Sequence, residues 1–246
     1  MAVLAAIGGY AAYRLYASHE AYAEGDRAYA QIAQQVVSEP SEESEFSAEA
    51  AQTASKTDAI EIPALTVDFA ALREINADAA GWLYCPGTVI DYPVMAADDY
   101  TYYLRHLPDG TYNINGSLFM DYGNAADFSD ALTVIYGHNM KSGSMFGSLA
   151  QYKAQDYYDA HPYLYLYTPS QNYRIALLYG AVVSAQQWGE EGYAGDAESL
   201  MAYAAAHTTF TSHESYAAGE RLIALSTCSY EYSNARYFVL GILQPT

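Results

Sequence analysis

Cysteine is nearly absent: the chain of 246 residues has two, Cys85 and Cys228. No CxxC pair exists, which removes thiolate zinc sites, and two thiols cannot staple a disulfide-dense scaffold. Basic residues are scarce too, with 10 Lys and Arg against 29 Asp and Glu, for a formal net charge of −19. A nucleic-acid partner calls for a basic stripe that neutralises phosphates, and there is none. The same charge repels anionic lipid headgroups, so it reads as solubility. No phosphate loop, GxGxxG or HExxH motif occurs, and there is no internal repeat. Nothing in the chain calls for a metal or another cofactor. Adjacent carboxylates such as Asp98-Asp99 and Glu190-Glu191 would face opposite ways on a strand and read as solvated loop charge, not as a glycosidase pair.

A long apolar run is also missing. Residues 2–13 (AVLAAIGGYAAY) are uncharged, but a bilayer-spanning helix needs ~20 apolar residues, and Arg14 interrupts this one. No basic segment precedes it and no A-x-A cleavage site follows. Two readings are open: the trailing part of a membrane signal-anchor, or the apolar start of a helix. Residues 18–37 have a helical composition. Residues 38–58 (SEPSEESEFSAEAAQTASKTD) are acidic and low in complexity, which suits a linker. That order is the layout of a surface-tethered protein. It gives three expectations: a partial membrane anchor over 1–17, a helical stalk and acidic linker over 18–58, and a folded domain over 59–246. The matching location is the extracellular face of the cell membrane.

What the chain has in quantity is tyrosine, 27 residues. Runs such as Tyr163-Leu164-Tyr165-Leu166-Tyr167 alternate with period two, which fits a pleated, half-buried surface. Asp68 can N-cap a short helix to about Asn76. Strand-like runs follow at 88–94, 116–121, 132–136, 163–168, 173–184, 221–228 and 236–243, with short helices over 145–152 and 197–206. Seven or eight short strands with few helices predict a closed or nearly closed β-barrel.

The chemistry concentrates at two places. Residues 221–228 and 236–243 read as an antiparallel hairpin. Opposed residues of a hairpin share a face, so Cys228 and Arg236 sit side by side at its mouth. Strand alternation puts Ser226 on the same face. A thiol beside a guanidinium favours thiolate. Each residue also has a plain structural reading, a buried thiol and an edge-strand arginine. The chain has only seven arginines and places one at this spot, which weighs for function. The second place is Val134-Ile135-Tyr136-Gly137-His138-Asn139, a buried strand ending in Gly-His. Of six histidines, His138 is the one framed by such a strand and a glycine; the alternative is a satisfied core or capping histidine. A Cys, a His and an Arg are what acyl transfer through a thioester requires: nucleophile, proton carrier and oxyanion donor. With ordinary pKa values the thiolate–imidazolium form is only on the order of one per cent of the enzyme.

These residues resemble a known family. LSTCSYEYSNAR (225–236) is similar to the TLSTC-x(7)-R signature of class B sortases, with Ala224 in place of the first threonine. IYGHNM (135–140) resembles their histidine motif. The segments at 67–95, 116–124, 143–152 and 158–169 are similar to theirs as well, so the likeness spans roughly residues 60–244. The resemblance implies a mainly β fold: a sortase-type eight-stranded barrel with N-terminal helices and a few short peripheral helices. It implies a transpeptidase that cleaves a C-terminal sorting motif after threonine and joins the protein to a peptidoglycan precursor or other amine acceptor. By that match Cys228 is the nucleophile, His138 the general acid/base and Arg236 the oxyanion or substrate stabiliser. Ser226, Thr227, Leu104 and Tyr100 fall at substrate-binding positions, and the segment around Trp188 and Tyr193 forms part of the groove. Cys85 departs from the family's usual aliphatic residue and is expected to be a small buried side chain at the start of a barrel strand. An exported cysteine peptidase and a non-catalytic surface module remain as alternatives.

Overall fold

The computed structural model describes residues 2–38, 60, 62–189 and 192–246. Nearly all of the expected acidic linker lies outside the described residues. Helix α1 runs from Ala2 to Val36 without a break. In its first half Ile7, Tyr10, Tyr13 and Tyr16 are open to solvent. Arg14, Glu20 and Arg27 interrupt it, and among the described residues no helix is long and apolar enough to cross a membrane. The expectation of a membrane anchor over 1–17 is therefore corrected, together with the membrane contact and the membrane-face location that rested on it. An apolar run that ends at Arg14 does not reach the length a hydrocarbon core demands.

The second half of α1 is not a projecting stalk. Tyr29, Ile32 and Val36 are buried against the rest of the chain. Gly25 is needed there, because a Cβ would meet the Asn115 side-chain nitrogen at 2.3 Å. A two-residue ladder follows, β1 (Val37–Ser38) with β2 (Thr66–Val67). Helix α2 (Phe69–Ile75) starts at Asp68, whose carboxylate accepts the Ala71 amide at 3.0 Å. That is the cap the sequence predicts.

The barrel strands are β3 (Ala79–Tyr84), β4 (Asp91–Met95), β5 (Leu118–Met120), β6 (Leu132–Tyr136), β7 (Tyr163–Tyr167), β8 (Tyr173–Ser184), β9 (Leu222–Ser229) and β10 (Ala235–Pro245). They close in the order β10-β8-β7-β3-β4-β5-β6-β9. Two contacts are parallel, β4 with β5 and β6 with β9; the others are antiparallel. Strand β3 is not evident from alternation, since five of its six residues are buried. A strand covered on both sides loses the polar half of its pattern.

One apolar cluster draws on all eight strands and fills the barrel, including Leu83, Val94, Met120, Ile135, Leu166, Ile175, Leu225 and Val239. The alternate residues of the same strands form a second cluster on the outer wall. It is covered by α1, α2 and two helices with no counterpart inside the barrel, α4 (Ala185–Gly189) and α5 (Ala197–His207). Between β6 and β7 in chain order lie a 3-10 helix (Phe146–Lys153) and α3 (Gln155–Ala160). Cys85 lies just past the end of β3 rather than at a strand start. It is buried and free, and burial raises its thiol pKa.

Candidate active site

Strand β9 carries Cys228 and has a hydrogen-bonded strand on each side. Across β10, Arg236 pairs directly with Cys228. Across β6 the parallel register pairs Tyr136 with Ser226. The chain continues past that pair: the Gly137 amide donates to the Ser226 carbonyl at 3.2 Å, and Asn139 donates its side-chain N–H to the Cys228 carbonyl at 2.8 Å. Cys228 thus has His138 on one side and Arg236 on the other. All three line a groove of about 910 Å³ on the outer wall of the barrel, which residues of 185–189 and 192–197 also line.

Gly137 makes the turn possible. A Cβ there would lie 2.5 Å from Leu118 and 2.6 Å from Phe146. Cys228 is exposed and free. Arg236 is half-buried, with its guanidinium 5.9 Å from the centre of the Tyr136 ring. Its Nε is buried without a hydrogen-bond partner, and so is Ser226 Oγ, two residues from Cys228 on the same face. Buried polar atoms are normally paired, so these two are groups a bound peptide can satisfy.

His138 Nε2 lies 2.8 Å from the Leu104 carbonyl oxygen. A carbonyl only accepts, so Nε2 carries the proton and Nδ1 is left with its lone pair. Burial lowers the His138 pKa below the ordinary value. The Leu104 carbonyl opposes that shift and the nearby Arg105 charge adds to it. The imidazole is neutral near pH 7.

The far wall is a polar network that sequence reasoning did not find. Asp121 accepts from Tyr100 Oη and from Tyr136 Oη, both at 2.9 Å. Trp188 Nε1 donates to Tyr136 Oη at 3.1 Å. Burial, with the Asp121 carboxylate close by, raises the pKa of both phenols, so they stay donors. Tyr136 sits in the motif that flags His138, two residues before it, which is the one signal that could have named it. Of the sequence-predicted substrate residues, Ser226, Leu104 and Tyr100 line the groove, and Trp188 does as well. Thr227 faces the other way: it is buried and its hydroxyl donates to the Gly137 carbonyl at 2.7 Å. There it fastens β9 to the end of β6. Tyr193 packs on Tyr203 with ring centres 5.0 Å apart, while its neighbours Gly192 and Ala194 line the groove. Among the described residues no cluster of metal-ligating side chains occurs.

No protein-family profile matches the chain. It is 34% identical to sortase B of Listeria monocytogenes over 177 residues, 70% of this chain and 72% of that protein. It is 33% identical to sortase B of Staphylococcus aureus over 93 residues, 38% of each. Among solved structures, sortase B of B. anthracis aligns with TM-score 0.69 at 25% identity, covering 93% of this chain and all of that one. Clostridium perfringens sortase B aligns with TM-score 0.65 at 26% identity, covering 70% and 97%. Barrel and relatives together define a sortase-type cysteine transpeptidase. Within that class, the chain belongs to the sortase B family.

Proposed function

We propose that Cys228 cleaves a C-terminal sorting motif after threonine and hands the threonine carbonyl to an amine of the cell wall. Cys228 Sγ attacks the threonine carbonyl carbon while His138 Nδ1 takes the thiol proton. The scissile C–N bond breaks, His138 returns that proton to the departing amine, and a thioester remains on Cys228. An incoming amine then attacks the thioester, loses a proton to His138, and releases Cys228. Arg236 donates to the carbonyl oxygen as negative charge develops there. Ser226 Oγ and Arg236 Nε, both buried without a partner at the groove, bind the backbone of the motif. Tyr100 and Leu104 contact its side chains from the opposite rim.

The observation that carries this reading is the double register on β9, which sets His138 and Arg236 on either side of Cys228. The lowered pKa of His138 defines the form that acts. Burial favours the neutral His138 imidazole, the form that can accept the proton as Sγ attacks.

Two of the solved relatives are a Staphylococcus aureus sortase B–substrate complex and a sortase B complexed with triglycine. They support a peptide donor and an amine acceptor for this chain. The catalytic domain is assigned to 59–246, with the second half of α1 docked on it. The test is mass spectrometry of the full chain with a panel of threonine-containing sorting peptides, with and without triglycine. A peptide adduct on Cys228, resolved to a threonine–amine product, is the expected result. Hydrolysed peptide with no amine incorporated would make the protein a cysteine peptidase instead.

A further inference from the structure

The proposed reaction needs His138 to keep Nδ1 open to the groove, and Nδ1 is open because Nε2 is committed to the Leu104 carbonyl. Leu104 belongs to the irregular segment between β4 and β5, where no strand fixes it. Gly116, at φ +58, packs directly against its carbonyl. A Cβ at Gly116 would lie 2.5 Å from the Tyr103 carbonyl oxygen and 2.8 Å from that of Leu104. The next amide, Ser117 N–H, donates to the Tyr103 carbonyl at 2.8 Å.

Gly116 is tied in turn to α1. Its carbonyl accepts the hydroxyl of Tyr29. Just before it, Asn115 donates its side-chain N–H to the Tyr22 carbonyl at 3.2 Å and to Asp26 Oδ1 at 3.2 Å, and Asn113 donates to the Ala21 carbonyl at 3.0 Å. Asp26 Oδ1 also accepts from Ser144 Oγ at 3.1 Å. Ser144 lies in the segment that leaves His138, and Phe146 N–H two residues on donates back to the His138 carbonyl at 2.9 Å. Both segments that bracket His138 are therefore fastened to the same stretch of helix.

We propose that Tyr29 is a positioning residue for His138, acting through Gly116 and the Leu104 carbonyl to fix the tautomer and orientation of the ring. The side chain is buried and burial raises the pKa of its phenol, so it stays a neutral donor. The charged and titratable groups around the ring are Arg105 from the Leu104 segment, Cys228 from β9, Arg236 from β10, and Tyr136 and Asp121 along the groove. None of them lies on α1. A change at Tyr29 reaches His138 through its hydrogen bond to Gly116 and the close packing of Gly116 on the Leu104 carbonyl, not through charge.

The inference rests on the proposed role of His138 only for its effect on rate, so the test reads ring and rate separately. Tyr29→Phe keeps the ring and removes the hydroxyl. In the full chain with nitrogen-15 histidine, wild-type His138 is expected to show one neutral tautomer protonated at Nε2, and Tyr29→Phe a mixture. Ile32→Ala is the control. It loosens α1 against the outer-wall cluster without touching Gly116, and is expected to lower the thermal midpoint yet keep the single tautomer. Where Tyr29→Phe fails to fold, Asp26→Ala is read the same way, since Asp26 is exposed and its loss frees Asn115 and Ser144. An unchanged His138 signal in the folded variant overturns the proposal, as does an equal change in Ile32→Ala. Turnover of a sorting peptide with triglycine is expected to fall about tenfold in kcat with little change in KM, the scale of a small misplacement of a reacting group. A mixed tautomer with unchanged turnover would leave the positioning standing and remove His138 from the reaction.

Discussion

Cys228 sits on β9 with paired strands on both sides, whereas His138 lies two residues beyond the last paired residue of β6. The first is placed by backbone register. The second is placed by contacts to irregular segments: the Leu104 carbonyl, the Asn139 link to β9 and the glycine at 137. Register tolerates side-chain change, because ladder hydrogen bonds belong to the backbone. A loop-held side chain depends on each of its few partners. The two halves of the site should therefore fail differently under mutation.

The largest effect is expected at the register-held side. Cys228→Ala should abolish adduct formation and turnover while shifting the unfolding free energy by less than about 0.5 kcal/mol, as for an exposed substitution. Peptide mass spectrometry and urea unfolding read the two parts. A marked loss of stability would mean that the thiol is structural. Arg236→Lys comes next. It keeps the charge but loses the planar fork and the Nε donor, so kcat should drop about 10²- to 10³-fold. A near-normal rate for the lysine variant would reduce Arg236 to a simple positive charge.

On the loop-held side, Gly137→Ala should destabilise by about 1–3 kcal/mol, since its Cβ collides with Leu118 and Phe146 and the core must shift. Its turnover should fall as His138 moves. A variant of normal stability and activity would show that the β6 end is more compliant than β9. The smallest effect concerns pH. The folded pKa of His138 is lowered, so near its ordinary value of about 6.5 the unfolded chain binds more protons than the folded one. Stability from this group is complete above that value and is lost as pH falls through the folded pKa. His138→Gln should flatten that limb in urea unfolding between neutral and acid pH; an unchanged limb would assign it to other groups.

The same contrast explains what could be read ahead of the structure. The hairpin of β9 and β10 is local, so the spacing of Cys228 and Arg236 fixes their pairing once both strands are recognised. Tyr163–Tyr167 follows equally from its alternation. Strand β3 escapes because both of its faces are covered. Thr227 was grouped with Ser226 by motif, but adjacent strand residues point to opposite faces, and Thr227 faces away from the groove. The expected anchor was judged on its apolar start, and the helix it belongs to is crossed by charge and docks on the barrel at its other end.

By itself the sequence determined a β-barrel, the hairpin that pairs Cys228 with Arg236, the face shared with Ser226, and a glycine–histidine strand end. Each depends on backbone periodicity or on neighbours a few residues apart. Only the tertiary structure decided that β6 runs parallel to β9 and brings His138 to Cys228. The same holds for the Leu104 carbonyl that sets its tautomer, for the joining of Asp121, Tyr100, Tyr136 and Trp188 into one wall, and for the docking of α1 behind the histidine. Those contacts link segments far apart in the chain. Their partners are chosen by closure of the barrel and packing of its outer wall, and no local pattern encodes them.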